Sequence, residues 1–486
     1  MVNINKIVTI LTIAGIFFLS TFMSLYPQYA IIVLSLLGGF IVFLTFLLKK
    51  NWLLFAIILT LFLESKIFSF YLFGARIRIL QILEVIAVCY FFLAVSLGRI
   101  RLKKTPLDFP LWCYILINFI ALANTVWIAR SAKIAILLFS LIILYYVIIN
   151  FLSTQEIFDK AFNLLLYTGI IEIIYGLYQV LAGMSNYIFG FNLPVGHLGI
   201  IHKDYIGSPW GRPYGTFVEP DWYGAVSMFF AIVFISLYYS KIKEKKRFYY
   251  YGMVISLLGL FFSFVRAAWI GFVVGAMTLL FCRYRTKLSR LNLSLYITRI
   301  SFFVAVLVIA ILMSSTLRTI LRERFYSAYT GSRIGLENIR VQQMKTSFKA
   351  FLKHPILGNG PGSSAFNYLA EEYGEEYAKN IIKVEMSLGI SAGFNPSIIT
   401  TVLEDTGIIG LIIFIILVYK ITHYNYKKIQ LINNQYAIVA TGLFGGLTGL
   451  FTSYIFTQGF WIPFTWVFLA FDIISLKLGA RNKVAI

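Results

Sequence analysis

The chain of 486 residues is 59% hydrophobic and only 13% charged, with a formal net charge of +22. A soluble domain carries about 25% charged residues, so this composition lacks the polar surface to stay in water. The excess of Lys and Arg sits in short clusters between apolar runs, which is the pattern of membrane topology and not of a nucleic-acid-binding face.

Apolar runs near 20 residues, the length that crosses a hydrocarbon core of about 30 Å, recur along the chain. In lipid the backbone must satisfy its own hydrogen bonds, so continuous runs of this length predict helices and not barrel strands. The expected fold class is an all-α integral membrane protein of about fourteen transmembrane helices. The spans fall at 7–25, 29–48, 52–72, 80–97, 107–127, 131–151, 159–182, 223–240, 248–265, 267–282, 295–316, 397–419, 435–456 and 460–476. No small-residue cleavage site follows the first run, which therefore reads as an uncleaved helix. In the third span Glu64, Ser65 and Lys66 interrupt the apolar run. With alternating sides, the clusters Lys49-Lys50, Arg99 to Lys104, 241–247, 283–290, Lys420 to Lys428 and Lys477 to Lys483 all face the cytoplasm, giving an N-in, C-in orientation. Cys89, Cys113 and Cys282 fall in or beside apolar segments, with neither a disulfide framework nor a metal spacing.

The simplest organisation is one membrane domain over 1–486 with two hydrophilic stretches, 183–222 and 317–396, both on the outer side. The second is far longer than an ordinary connection. Residues 340–352 read as a helix with Val341, Met344, Phe348 and Phe351/Leu352 on one face. His354-Pro355 stops it, Gly358-Asn359-Gly360-Pro361-Gly362 is a turn, and an acidic helix follows over 363–379. An amphipathic helix in such a loop lies on the membrane surface or caps a cavity.

Arginines on the outer side, against the positive-inside rule, need a reason of their own. They include Arg76, Arg78, Arg212, Arg266, Arg318, Arg322, Arg324, Arg333 and Arg340. The guanidinium fork binds phosphate oxygens in pairs and stays charged, which suits a diphosphate at a membrane surface. The alternative is contact with lipid headgroups, and Arg318 to Arg324, directly after a helix end, fit that better. Arg266 lies in the tight Phe264-Val265-Arg266-Ala267-Ala268-Trp269 junction, where a charge so near hydrocarbon faces a cavity or a partner. The stretch Arg212-Pro213-Tyr214-Gly215-Thr216-Phe217-Val218-Glu219-Pro220-Asp221-Trp222 combines an arginine, two carboxylates and aromatic rings, the groups a sugar phosphate needs. Asp221 also suits the N-cap of the next helix. A third cluster joins Asn395 to Glu404-Asp405-Thr406-Gly407; with a span starting near Pro396, both carboxylates lie about two turns inside it. Glu84 and Glu172, inside apolar runs, read as reactive groups or as structural partners for an arginine. His197, His202 and Asp204 form only a loose grouping, and no metal constellation or nucleotide-binding glycine loop appears, so no cofactor is expected.

In this order the clusters resemble the O-antigen ligase/polymerase superfamily of bacterial membrane proteins. The resemblance rests on Arg212 with Gly215-Thr216-Phe217 and Glu219-Pro220-Asp221, and on Ser263 with Arg266-Ala267-Ala268-Trp269. It continues with Arg340 ahead of His354-Pro355-Ile356-Leu357-Gly358-Asn359-Gly360-Pro361-Gly362, and with Asn395 followed by Glu404-Asp405-Thr406-Gly407. It implies an inverting, metal-independent glycosyl transfer at the outer face of the bacterial cytoplasmic (inner) membrane. The donor would be a glycan on undecaprenyl diphosphate, and the acceptor a glycan or a lipid. By the same resemblance Arg212, Arg266 and Arg340 would hold the leaving diphosphate, with Asn395 and Glu404 nearby. Glu219 is the first choice for the general base and Asp405 the second. Family ligases carry a His-Asn pair where this chain has Phe394-Asn395-Pro396, which favours a polymerase or another acceptor over ligation. The competing class is a lipid-linked oligosaccharide flippase or other secondary transporter, whose charges gather near the bilayer midplane. Here the charged motifs gather at one face, which favours the enzyme.

Overall fold

Apolar runs that cannot leave backbone groups unpaired in lipid fold as helices, and the described residues are helical nearly throughout. The structure, a computed structural model, describes residues 50–63, 69–72, 75–100, 102–189, 212–240, 245–285, 336–387, 397–432, 434–457 and 459–481. The expected spans 7–25, 29–48 and 295–316 lie outside the described residues, as do His197, His202, Asp204, Arg318, Arg322, Arg324, Arg333 and Asn395. The chain divides into two compact units, Met1–Leu54 and Phe55–Ile486, and nearly all described residues belong to the second.

The first described helix, α1 (Lys50–Thr60), is followed by an antiparallel hairpin of β1 (Ser69–Leu72) and β2 (Ala75–Arg78), with Ser69 opposite Arg78. The expected span over 52–72 is therefore corrected: the helix stops before Glu64-Ser65-Lys66, the charged interruption in the apolar run, and the aromatic stretch beyond it pairs as a strand. Next come α2 (Ile79–Ser96), α3 (Asp108–Ile120) with a short 3-10 turn at Ala121–Asn124, α4 (Ile128–Phe151) and α5 (Gln155–Phe189). They are followed by α6 (Pro220–Tyr238), α7 (Lys246–Ser263) and α8 (Arg266–Arg285). The long hydrophilic stretch holds α9 (Leu336–Lys353), α10 (Ser364–Tyr373) and α11 (Glu375–Ser387). The expected acidic helix over 363–379 is thus two helices, broken at Gly374. Last come α12 (Ile398–Ile429), α13 (Gln435–Tyr454) and α14 (Pro463–Arg481).

Among the described residues, eight helices are long and apolar enough to cross a membrane: α2, α4, α5, α6, α8, α12, α13 and α14. The chain is a multi-pass membrane protein of helices. α7, over the expected span 248–265, is not one of the eight; Lys246, Arg247 and three consecutive tyrosines dilute its apolar character. The spans differ in burial, and the difference sorts them. In α6 and α14, 83% of the span is buried, whereas in α2 and α8 only 33% is, so the first two form the centre of the bundle and the others its rim. Close backbone approach ties part of that rim to the bundle. A side-chain carbon added at Gly271 or Gly275 of α8 would meet the carbonyl oxygens of Gly449 and Gly445 of α13, each at 2.5 Å. Two glycines four residues apart on each helix let the backbones touch, which is how membrane helices gain packing without a hydrophobic drive.

α12 is broken at Gly407 (φ 64, ψ −163). At about 1.5 Å per residue, its residues 408–429 alone extend about 33 Å, enough for a hydrocarbon core of about 30 Å. Glu404 and Asp405 lie about two turns into α12, directly before the break at Gly407 and the apolar run that follows it.

Candidate functional site

Two assemblies gather the residues singled out in the sequence. The first forms around the loop of residues 212–219. Its backbone is held by α5, where Glu172 and Gln179 lie seven residues apart and so face the same side. Glu172 accepts from the Thr216 amide at 2.6 Å and from the Thr216 hydroxyl at 2.7 Å. Gln179 accepts from the amides of Tyr214 (3.0 Å) and Gly215 (2.9 Å) and donates to the Gly215 carbonyl at 2.9 Å. Gly215 is required there, because a side-chain carbon at that position would lie 1.8 Å from a Glu172 carboxylate oxygen. Glu172 is thus a structural partner, as one sequence reading had it, but of a loop and not of an arginine. The described charge nearest in influence to Glu84 is Arg78, at the head of the same helix.

The loop so held presents Arg212. Its guanidinium bonds Asp221 at 3.1 Å and the Ser263 carbonyl at 3.1 Å, with both charged side chains under a fifth exposed. Asp221 is not the helix cap: Glu219 occupies the N-cap of α6 with extended backbone and Pro220 follows it, which leaves Asp221 in the first turn facing Arg212. Glu219 itself is exposed.

Ser263 closes α7, and the chain turns into α8 through Phe264 (φ 52). A left-handed phenylalanine costs about 1–2 kcal/mol. It is held by burial of its ring beside Val180, by the Val265 amide bonding the Ser263 hydroxyl at 3.2 Å, and by Trp269, whose ring N–H donates to the Leu260 carbonyl at 3.0 Å. Gly224 lets α6 approach this turn, since an added carbon would lie 2.8 Å from Val265. The tight turn puts Arg266 at the first position of α8. There the first amides of the helix lack carbonyls one turn back, and the positive end of the helix adds to the guanidinium. Helix start and arginine together place positive charge at one corner of this turn.

The second assembly joins the glycine-rich stretch to the break in α12. A continuous helix would bond the amide of Ile408 to the carbonyl of Glu404. Instead Ile408 donates to Pro355 (2.9 Å) and Ile409 to Ile356 (3.5 Å). The carbonyls released in exchange accept from the other strand of the turn: Glu404 from the Asn359 amide at 2.8 Å, Asp405 from Gly360 at 3.0 Å. Such contact leaves no room for side chains. A carbon added at Gly358 would lie 2.5 Å from the Asp405 carbonyl, and one at Gly407 2.3 Å from the Ile356 oxygen; both glycines have positive φ. The carboxylates above the break are engaged as well. Asp405 Oδ1 accepts from the Gly362 backbone amide at 3.1 Å, and Glu404 Oε1 from the Asn367 side-chain amide at 2.7 Å. Buried Arg130, at the start of α4, acts on the charge of Asp405. Asn124 donates to the Gly358 carbonyl at 3.0 Å.

Arg212, Asp221 and Ser263, next to Arg266, are therefore brought together, and so are Asn359, Gly362, Glu404 and Asp405. Arg340 is placed by its backbone in α9, and its side chain lies outside the description.

Residues 251–415 match the family model for O-antigen ligase. The matched O-antigen ligase segment runs from within α7 to within α12 and contains Arg266, Arg340, the glycine-rich turn, Glu404 and Asp405. The match supports the superfamily resemblance drawn from the motifs; Arg212 and Glu219 precede the matched segment and are joined to it through Ser263. No curated protein matches the chain. Sequence reasoning missed the roles of Gln179, Arg130 and Asn367. A glutamate and a glutamine at a seven-residue spacing in an apolar helix were the available signal for the first.

Proposed function

We propose that the protein is a membrane glycosyltransferase that polymerises or transfers undecaprenyl-diphosphate-linked surface polysaccharide at the outer face of the cytoplasmic membrane. The observation that carries this reading is the bond from Arg212 to the Ser263 carbonyl, which sets the first arginine motif against the Arg266 corner of the O-antigen ligase segment. In an inverting step the acceptor hydroxyl bonds to the anomeric carbon as the bond from that carbon to the diphosphate oxygen breaks. Negative charge grows on the departing diphosphate, and Arg266 at the start of α8 is suited to receive it, with Arg212 beside the same turn. The acceptor proton passes to a carboxylate. Glu219 suits that role better than Asp405, because Glu219 is exposed whereas Asp405 is buried with one oxygen bonded to the Gly362 amide. Glu404 and Asp405 then serve to seat the glycine-rich turn.

The test is to incubate purified protein with undecaprenyl-diphosphate-linked repeat units, without metal or nucleotide, and to resolve the glycans by length. The expected result is a ladder of lengthened lipid-linked chains, lost in Arg266→Ala and lost with donor binding retained in Glu219→Gln. Bound donor with neither lengthening nor release of undecaprenyl diphosphate overturns the reading.

A further inference from the structure

The apolar stripe of α9 is not used to pack the protein. Val341, Met344, Phe348 and Leu352 recur at helical spacing, and each is between 41% and 59% exposed. The opposite face, with Thr346, Ser347 and Ala350, is the one buried. Four exposed large hydrophobes in a row on an otherwise polar helix mark a surface that meets an apolar partner.

Two observations say which partner. The first is continuity. The stripe runs on into Ile356, 61% exposed, whose carbonyl is bonded by the amide of Ile409 in α12. From that point α12 is exposed along Ile408, Ile409, Ile412, Ile415 and Ile416, on a helix long and apolar enough to span the bilayer. The stripe of α9 thus joins the exposed apolar stripe of α12 where the apolar run of α12 begins, the end of a spanning helix that would meet the bilayer interface. The second is charge. Lys345, Lys349 and Lys353 follow one another at four-residue spacing along one edge of the stripe. Lys349 is paired with Glu371 of α10, whose carboxyl Lys353 also attracts; Lys345 and Lys353 are both exposed at the edge where headgroup phosphates would lie.

We propose that α9 is an interfacial helix, with Val341, Met344, Phe348 and Leu352 seated in the acyl boundary of an anionic phospholipid surface and Lys345 and Lys353 against its phosphates. The seat fixes the height of the glycine-rich turn that closes the break in α12, so the membrane itself positions that part of the loop. The proposal depends on the chain spanning a bilayer and not on glycosyl transfer.

The full chain is reconstituted in lipid nanodiscs containing phosphatidylglycerol, with Cys89, Cys113 and Cys282 replaced by serine. A nitroxide is placed in turn at Phe348→Cys, Leu352→Cys and, as the polar-face reference, Gln342→Cys. The ratio of oxygen to nickel-chelate accessibility is expected to be severalfold higher at the first two positions than at the third. Equal ratios mean that the stripe faces water, and protection from both relaxants means that protein covers it; either overturns the proposal. The lipid preference is read by exchanging phosphatidylglycerol for phosphatidylcholine, which should lower the ratio, and Lys345→Gln with Lys353→Gln should abolish the difference. No change on lipid exchange overturns the phosphate contact. The wild-type chain with a diazirine in the phospholipid acyl chain gives an independent reading that needs no variant. Adducts on α9 support the seat, whereas adducts on Ile412 and Ile415 with none on α9 overturn it.

Discussion

Two loops are docked onto helices in this molecule, and they are held by opposite means. The loop of residues 212–217 is held by side chains: Glu172 and Gln179 of α5 bind its amides, and Arg212 is then fixed by Asp221. The turn of residues 355–360 is held mainly by backbone, through four amide-to-carbonyl bonds exchanged with the broken α12. A loop held by side chains can be loosened or retuned by one substitution that leaves its helix whole. A loop held by backbone makes a different demand on the sequence, which is for missing side chains at the points of contact, and its failure takes the helix with it.

Substitutions at the two loops should therefore separate cleanly. The largest effect is expected for Gly407→Ala, whose added carbon would lie 2.3 Å from the Ile356 oxygen at a positive φ. The loss should be about 3 kcal/mol from conformation and overpacking together, seen as a fall in Tm of the purified protein. A wild-type Tm would mean that the backbone exchange is not what holds the turn. Next comes Glu172→Ala, which strands the buried amide of Thr216, while its hydroxyl keeps the Phe62 carbonyl. An unsatisfied buried group costs about 1–3 kcal/mol, and donor binding should weaken as Arg212 loses its seat. Thr216→Val keeps the amide bond and should cost about 1 kcal/mol; equal losses in the two variants would show that the carboxylate is not the clamp. A double-mutant cycle on Arg212 and Asp221 should give a smaller coupling, about 0.5–3 kcal/mol, in donor affinity or stability. A coupling of zero would leave Arg212 held by the Ser263 carbonyl alone.

The smallest effect concerns the contact of α9 with α10. Hydrogen bonds from Lys349 and then Thr346 hold the Glu371 carboxyl below the usual carboxylate range. A carboxyl lowered by folding contributes above its unfolded value of about 4.3, and the contribution is lost as pH falls through the lower, folded value. Amide protection of α9 and α10 should accordingly be unchanged at neutral pH and decline on acidification below about pH 4. Lys349→Met should remove that acid sensitivity, and its persistence would assign it to another group.

The sequence made some of this legible and concealed the rest for identifiable reasons. The stop of α9 at His354-Pro355 and the turn through Gly358 to Gly362 were visible because proline and glycine mark chain geometry locally. The break in α12 was not visible. Hydropathy continues across Gly407, and the event that opens the helix is the arrival of carbonyls from about fifty residues earlier in the chain. The hairpin after α1 was concealed for a related reason, since Phe70, Tyr71 and Leu72 are as apolar as a helix interior and only Glu64 to Lys66 signalled the interruption. In the first assembly the residue types were recognised and the pairings were not: Asp221 read as a cap because capping is local, whereas its observed partner Arg212 depends on a loop held by α5.

The exchange at Gly407 also orders events in biogenesis. The amides of Asn359 and Gly360 leave the ribosome well before the carbonyls of Glu404 and Asp405 that they bond. Until the turn of residues 355–360 has folded back onto α12, the break holds open donors and acceptors where the apolar run of the helix begins. Closure of the loop is thus the step that completes the backbone hydrogen bonding of α12.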